Sequence, residues 1–206
     1  MSVTAEKAAG SVSNGQVADY YNYLAKSLCR VSVTDEDGTG LGQGEAVSTI
    51  IGWARATHAG GCKLMFVGNG GSAGICSHLA IDFSKNGSLR AMAFNDPSAL
   101  TCLGNDLGYE NVFAKQIEFH GRAGDLLVAI SSSGRSPNIL NAVKAARAAN
   151  CKIITFSGFT EDNELRSGGD VNFFVRSKEY GFVEVAHLAL CHAVLDIDMG
   201  WAKKSQ

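Results

Sequence analysis

The segment GNGGS, residues 68–72, follows an apolar run at 63–67 (KLMFV) and leads into a helical pattern. A second segment, SSSGRS at 131–136, has the same setting, because it follows the apolar run DLLVAI at 125–130 and precedes a helical pattern that begins at Pro137. Glycines let backbone N–H groups turn inward, and a helix N-terminus carries partial positive charge, so such loops bind anions. One such loop is often only a tight connection, but two with hydroxyls at matching places indicate a phosphate site. A hydroxyl-rich, uncharged site suits a sugar phosphate.

The rest of the chain from residue 63 repeats this alternation of strand and helix. Strands are predicted at 63–67, 89–94, 125–130, 151–157 and 171–175. Helices are predicted near 72–85, 97–103, 109–120, 137–149, 161–167 and 180–203. Short apolar strands separated by helices predict an α/β fold, a doubly wound five-stranded parallel sheet sandwiched by helices. Ligands of such sheets bind at the carboxyl ends of the strands, where both loops are expected.

The N-terminal part is predicted to add helices to this core. Residues 1–15 are small and polar, and we expect them to be disordered. Residues 16–60 are expected to hold two helices, at 17–31 and 45–58, joined by a turn-rich connection at 34–44. These helices would cap the sheet or pair with another subunit. The chain is therefore predicted to be one domain, 1–206, with its α/β core at 61–203.

Composition excludes several classes of partner. The chain has 206 residues and a formal charge of −2, which gives no field to attract nucleic acid or an anionic membrane. Its six cysteines are scattered without a Cys-x-x-Cys pair, so neither a disulfide framework nor a zinc knuckle is expected. No signal-peptide core and no membrane-spanning run are evident, and a cytoplasmic location is predicted.

Three motifs together resemble the sugar isomerase (SIS) domain family: GNGGS at 68–72, GND at 104–106 and SSSGRSPN at 131–138. Within that family the chain is most similar to the phosphoheptose isomerases, which convert sedoheptulose 7-phosphate to D-glycero-D-manno-heptose 7-phosphate. The segments SALT at 98–101 and GYE at 108–110 fit that subfamily too, and the likeness extends to about Leu195. The resemblance implies a homotetramer with active sites at subunit boundaries.

The resemblance also implies roles for individual residues. The implied substrate-binding residues are Asn69, Gly70, Gly71, Ser72, Asn105, Asp106, Ser131, Ser132, Ser133, Ser136 and Glu184. A zinc ion, one per subunit, would be held by His78, Asp82, Glu184 and His192. Asp82 and His192 would also be the catalytic pair. Isomerisation needs such a pair, because one group removes a proton beside the carbonyl and another protonates the oxygen of the enediol.

Two of these positions depart from the family pattern, with Asp at 82 in place of Glu and Glu at 184 in place of Gln. The set remains chemically reasonable, because His78 and Asp82 lie one helical turn apart and Glu184 and His192 fall about 80° apart around their helix. Two imidazoles and two carboxylates suit a divalent metal. The shorter Asp82 side chain could alter the path to the substrate carbon.

Spacing alone leaves some alternatives open. His187 follows Glu184 by three residues and could replace His192 as a ligand; only the family position favours His192. His58 and His120, near helix ends, are interpreted as surface or capping residues. Lys85, Arg90 and Arg135 could reach a phosphate, although solvated basic side chains are commoner.

Two other functions are compatible with the motifs. One is an isomerase or epimerase for a different sugar phosphate, which the departures at positions 82 and 184 allow. The other is a non-catalytic SIS protein that senses a sugar phosphate or binds a partner protein. The retained metal-capable side chains argue against this second alternative, because a pure binding module does not need them.

Overall fold

The computed structural model describes residues 11–202, and a seven-stranded sheet lies at its centre. The strands are β1 (Ser32–Asp35), β2 (Gly40–Leu41), β3 (Leu64–Gly68), β4 (Ala91–Ala93), β5 (Leu126–Ser131), β6 (Lys152–Ser157) and β7 (Val171–Phe174). They are arranged in the order β2-β1-β7-β6-β5-β3-β4. Strands β3 to β7 pair in parallel, whereas β1 pairs antiparallel with both β2 and β7.

Helices cover both faces of the sheet. They are α1 (Asn14–Cys29), α2 (Gln43–Ala59), α3 (Gly71–Lys85), α4 (Pro97–Leu107), α5 (Val112–His120), α6 (Pro137–Ala148) and α7 (Tyr180–Asp198), with short 3-10 turns at Tyr109–Asn111 and Glu164–Ser167. Local sequence explains several starts. Ser13 and Gln16 form a capping box at α1, Asp96 accepts a bond from Ala99 N before α4, and α6 opens with Pro137.

The predicted five-stranded parallel sheet is confirmed, but the sheet also contains two strands that the sequence analysis missed. The segment 34–44, predicted as a connection, contributes part of β1 and all of β2. Asp35 Oδ1 accepts hydrogen bonds from Asp37 N and Thr39 N, and Gly38 has φ of +80°, so this turn folds the chain into a hairpin. Strands of four and two residues are too short for a periodic pattern to reveal.

Other boundaries shift slightly. The helix predicted at 161–167 is only the 3-10 turn at Glu164–Ser167, and α1 begins at Asn14. Disorder was predicted at 1–15; residues 1–10 of that segment lie outside the described residues, whereas Ser13 caps α1 and Asn14 and Gly15 belong to it.

Two hydrophobic clusters fill the space between the helices and the sheet. Side chains alternate along β3, so that Leu64 and Phe66 pack toward α2, α3 and α7, whereas Met65 and Val67 pack toward α5 and α6. All five residues of β3 are buried, as expected for a central parallel strand. Among the described residues, α7 alone is long and apolar enough to span a bilayer, but it packs against α1, α2 and α3 as a core helix.

This topology brings the two glycine- and serine-rich loops together. β3 and β5 are neighbours with Gly68 opposite Ile130, so their loops leave the sheet side by side. The chain then turns to opposite faces, since α3 packs with the first hydrophobic cluster and α6 with the second. A crevice opens where the connections that follow two neighbouring strands run to opposite faces of the sheet. Ligands of open α/β sheets bind in such crevices.

Candidate active site

A cavity of about 250 Å³ opens at the carboxyl ends of β3 and β5. We call it the serine-lined cavity. Its lining consists of Asn69, Gly70, Gly71, Ser72, Ser131, Ser132, Ser133, Ser136, Tyr180 and Glu184. The structure therefore brings together every predicted substrate-binding residue except Asn105 and Asp106.

Four hydroxyls supply uncharged donors to this cavity. Ser131 Oγ lies 3.2 Å from Ser136 Oγ and 3.5 Å from Ser133 Oγ, and it also accepts from Gly134 N at 3.2 Å. Ser132 Oγ is buried and has no hydrogen-bond partner among residues 11–202. A buried hydroxyl without a partner is costly, so a bound acceptor would stabilise it. Converging hydroxyls with an unused donor suit the oxygens of a phosphate group.

Gly134 gives this loop its shape. Its φ is +64°, in the left-handed region, and a Cβ added there would collide with Asn163 Oδ1. Asn163 is itself held in place, because its Nδ2 donates to Thr160 O at 2.7 Å and its Oδ1 accepts from Arg166 N at 3.0 Å. Only glycine satisfies both the backbone conformation and the close approach.

The carboxylate of Glu184 lies against the N-terminus of α3. A Cβ on Gly71 would lie 2.5 Å from Glu184 Oε2, so the contact requires glycine. No side chain caps α3 through its N-cap residue, Gly70. A carboxylate at a helix N-terminus is stabilised by the helix dipole, which explains why Glu184 points here.

A second group of side chains lies farther along α3 and α7. His78 Nε2 is 3.1 Å from His192 Nε2 and 3.3 Å from Asp82 Oδ2, while His192 Nδ1 is 4.0 Å from the same oxygen. One ligand atom from each of the three residues lies within 4.8 Å of the others. We call this group the His–Asp cluster. Side chains one turn apart on α3 thus meet a histidine from the adjacent helix.

Glu184 lies apart from the other three predicted ligands. Glu184 does not join the His–Asp cluster, because its carboxylate is drawn to the start of α3. Glu184 and His192 are eight residues apart, which is about 12 Å along a helix. In this structure Glu184 lines the serine-lined cavity, and the cluster holds two imidazoles and one carboxylate; a ligand role for Glu184 stays a prediction.

The structure also resolves the choice between His187 and His192. His187 is fully buried, and its Nε2 lies 3.1 Å from Ser157 O on β6. Burial lowers the pKa of His187 to about 4, so the ring is neutral near pH 7. His187 is a core residue packed edge-on against Phe156, and His192 occupies the cluster position.

Other sequence-based candidates lie outside the cavity. Asn105 and Asp106 are exposed on α4, where Asn105 Nδ2 donates to Asp106 Oδ1 at 2.8 Å. Arg135 pairs with Asp162 at 2.8 Å, and Lys85 and Arg90 are exposed. None of these side chains lines the serine-lined cavity.

Two residues at the cavity had no role predicted from the sequence. Tyr180 lines the cavity, and Asn138, which is 1% exposed, bonds to Asn69. Asn138 was part of the quoted motif at 131–138, so its position carried a signal. No sequence pattern marked Tyr180 as a site residue, because an aromatic residue at the start of an apolar helix is expected to pack in the core.

Comparison with known proteins identifies the family of this chain. The SIS domain family model matches residues 19–158. A phosphoheptose isomerase from Bradyrhizobium sp. (strain ORS 278) is 40% identical over 184 residues, which cover 85% of this chain and 89% of that protein. One from Rhodospirillum rubrum is 35% identical over 71% of this chain and 81% of its own length.

A solved structure has the same fold. The phosphoheptose isomerase of Neisseria gonorrhoeae superposes with a TM-score of 0.76 at 30% identity, covering 89% of this chain and 98% of that one. Sequence and fold agree over nearly the whole length of both proteins. The chain therefore belongs to the SIS domain family and, within it, to the phosphoheptose isomerases.

Proposed function

We propose that the protein isomerises sedoheptulose 7-phosphate to D-glycero-D-manno-heptose 7-phosphate. The main observation in support of this proposal is that the serine-lined cavity and the His–Asp cluster lie along the same two helices, α3 and α7. One site suits a phosphate, and the other offers groups that accept and donate protons. Relatives with this name at 35–40% identity support the choice of substrate.

The serine-lined cavity is proposed to anchor the phosphate. Hydroxyls from Ser131, Ser133 and Ser136 and backbone N–H groups at the starts of α3 and α6 would donate to its oxygens. Binding energy gained at this end positions the reacting carbons, which lie several bonds away. Glu184, the one charged residue in the cavity lining, would face the sugar hydroxyls, because its carboxylate repels phosphate oxygens.

Proton transfer is assigned to the His–Asp cluster. Asp82 would take a proton from the carbon beside the carbonyl and return it to the neighbouring carbon after the enediol forms. His192, half-buried beside Asp82, would protonate the carbonyl oxygen and accept the proton of the adjacent hydroxyl. The two steps leave the count of atoms and protons unchanged, as an isomerisation requires.

The cluster also fits a divalent metal, and zinc is the proposed ion, one per chain. Ligands of a tetrahedral zinc ion with bonds of about 2.0–2.1 Å lie about 3.3 Å apart. The separations of 3.1 Å between the two Nε2 atoms and 3.3 Å from His78 Nε2 to Asp82 Oδ2 are close to that value, whereas His192 Nδ1 lies 4.0 Å from Asp82 Oδ2. His78, Asp82 and His192 would hold the ion. A bound zinc ion would polarise the carbonyl or hydroxyl oxygens of the sugar.

The test of the proposed function combines turnover with a change to the serine loop. NMR of purified protein with sedoheptulose 7-phosphate should show the aldose product. In the Ser133→Ala, Ser136→Ala double variant, KM should rise by well over tenfold, because each hydrogen bond to a charged group is worth about 1.5–3 kcal/mol. An unchanged KM with an intact fold would place the phosphate elsewhere, and absence of product from the parent protein would refute the proposed reaction.

The active form is proposed to be a homotetramer. Helix α1 has no buried residue in the single chain and exposes Tyr21 at 63%. An apolar groove of about 480 Å³ runs along α7 beside His192 and ends at Trp201, which is 65% exposed. Large apolar faces of this kind are usually covered by a partner. Light scattering at micromolar concentration should give a multiple of 21.7 kDa; a monomer mass would contradict the proposal.

A further inference from the structure

Two amide side chains join the loops that form the serine-lined cavity. Asn69 Nδ2 donates to Asn138 Oδ1 at 2.8 Å, and Asn138 Nδ2 donates back to Asn69 Oδ1 at 2.8 Å. Asn69 belongs to the loop after β3, and Asn138 lies in the first turn of α6, just after the serine loop. This reciprocal pair therefore ties the sugar-facing loop to the loop proposed to hold the phosphate.

A third residue completes the arrangement. Tyr109, from the 3-10 turn after α4, donates its hydroxyl to Asn69 Oδ1 at 3.1 Å. An amide oxygen has two lone pairs, and both are now occupied, one by Asn138 and one by Tyr109. An amide nitrogen has two hydrogens, of which Asn138 takes one. Among residues 11–202 the second N–H of Asn69, a residue of the cavity lining, has no partner.

The backbone around Asn69 explains why such support is useful. Its neighbours are Gly68 and Gly70, and Gly70 has φ of +53°. Glycines on both sides place few restraints on the conformation of the loop, so the direction of the Asn69 side chain must be set by its contacts. Asn138 is 1% exposed and therefore offers a rigid partner.

We propose that Asn138 and Tyr109 are positioning residues, which orient the Asn69 amide so that it donates its remaining N–H to an oxygen of the substrate sugar. They act through Asn69 and do not touch the reacting atoms. The identity of the ligand rests on the proposed function, whereas the orientation of the amide does not. In this arrangement the Asn69 amide offers an N–H donor to the cavity, while its oxygen is already bonded. A substrate carbonyl or hydroxyl oxygen, acting as acceptor, is therefore favoured beside Asn69.

The variant Asn138→Asp tests this proposal with a nearly isosteric change. An ionised carboxylate only accepts hydrogen bonds, so it repels Asn69 Oδ1 and releases that amide. The fold should survive, because a carboxylate in the first turn of α6 is stabilised by the helix dipole. We expect kcat/KM for sedoheptulose 7-phosphate to fall about tenfold, the size of one lost hydrogen bond. Tyr109→Phe, at an exposed residue that can be changed without unfolding, should lower it less.

A double-mutant cycle separates positioning from general structural damage. In an Asn69→Ala background, Asn138→Asp should change kcat/KM by less than about twofold, since the group it orients is gone. Gln116→Glu is the matched control, because it makes the same amide-to-acid change at an amide that is 6% exposed on α5 and bonds to Val112 O. This control should lower the melting temperature and leave kcat/KM unchanged. Additive effects in the cycle would overturn the proposal.

A measurement on the ligand-free protein keeps this proposal distinct from the proposed function. In ¹⁵N-labelled protein the side-chain N–H of Asn69 that is bonded to Asn138, assigned by its loss in Asn69→Ala, should exchange slowly with deuterium in the parent and rapidly in Asn138→Asp. Equal exchange in both proteins would overturn the orientation of the amide. Slow exchange in a parent protein that does not convert the sugar phosphate would instead refute the reaction and leave the amide arrangement standing.

Discussion

Replacing Asp82 by Asn should abolish turnover of sedoheptulose 7-phosphate while leaving the fold intact. An amide cannot take up a proton, and a positioned general base contributes about 10²–10⁴-fold to such a rate. The change is isosteric, and the Asp82 side chain is 20% exposed, so little packing is lost. We expect kcat to fall by about 10³-fold in the NMR assay, with a cooperative thermal melting curve that shows a folded protein.

Two further variants are controls for Asp82→Asn. Asp82→Glu keeps a carboxylate and supplies the residue that the resembling enzymes carry, so it should remain active. Asp196→Asn alters an exposed carboxylate one helical turn beyond His192 but outside the His–Asp cluster, and it should turn over substrate at the parent rate. Zinc content measured by mass spectrometry should be close to one per chain in the parent and lower in Asp82→Asn. Parental turnover in Asp82→Asn would overturn the assignment of Asp82 as the general base.

Gly134→Ala should lower the free energy of unfolding and weaken phosphate binding. The left-handed backbone at Gly134 costs a residue with a Cβ about 1–2 kcal/mol. The new methyl group also displaces Asn163, which is 3% exposed, and breaking its hydrogen bonds adds about 1–3 kcal/mol. We expect the free energy of unfolding to fall by about 2–5 kcal/mol, with inorganic phosphate no longer bound in calorimetry.

Gly74→Ala is the matched control for that change. Gly74 lies inside α3 with no atom within 4 Å of an added Cβ, so alanine should stabilise the helix by about 0.5–1 kcal/mol. Phosphate affinity should be unchanged. If Gly134→Ala melted and bound phosphate like the parent, the serine loop would have to tolerate another backbone conformation and the cavity would lose its proposed role.

The core of the fold was predictable because its signals are local. Buried runs such as 63–67 and 125–130 predicted β3 and β5 within one residue, and Pro137 marked the start of α6. The hairpin of β1 and β2 was not predictable in this way. Its strands exist because β1 pairs with β7, a partner about 137 residues away along the chain, and no short window of sequence contains that information.

The same distinction applies to the site. Ser131, Ser133 and Ser136 are close in sequence and converge as expected. The position of Glu184 depends instead on the start of α3, which lies over a hundred residues earlier and attracts its carboxylate. His187 and His192 are both compatible with helical spacing, and only the packing of α7 against β6 decides that His187 enters the core.

The position of β1 between β2 and β7 has a consequence for how the chain folds during synthesis. β7 ends at Phe174, whose partner in the register is Ser32, and Asn172 Nδ2 donates to Asp35 O at 3.1 Å. The amino-terminal hairpin emerges from the ribosome early but has nothing to pair with until the last strand is made. Closing so large a loop is slow, and until then the unpaired edge of β7 is open to other chains. Between the completion of β7 and the docking of β1, the open edge of β7 therefore offers other chains a site for aggregation.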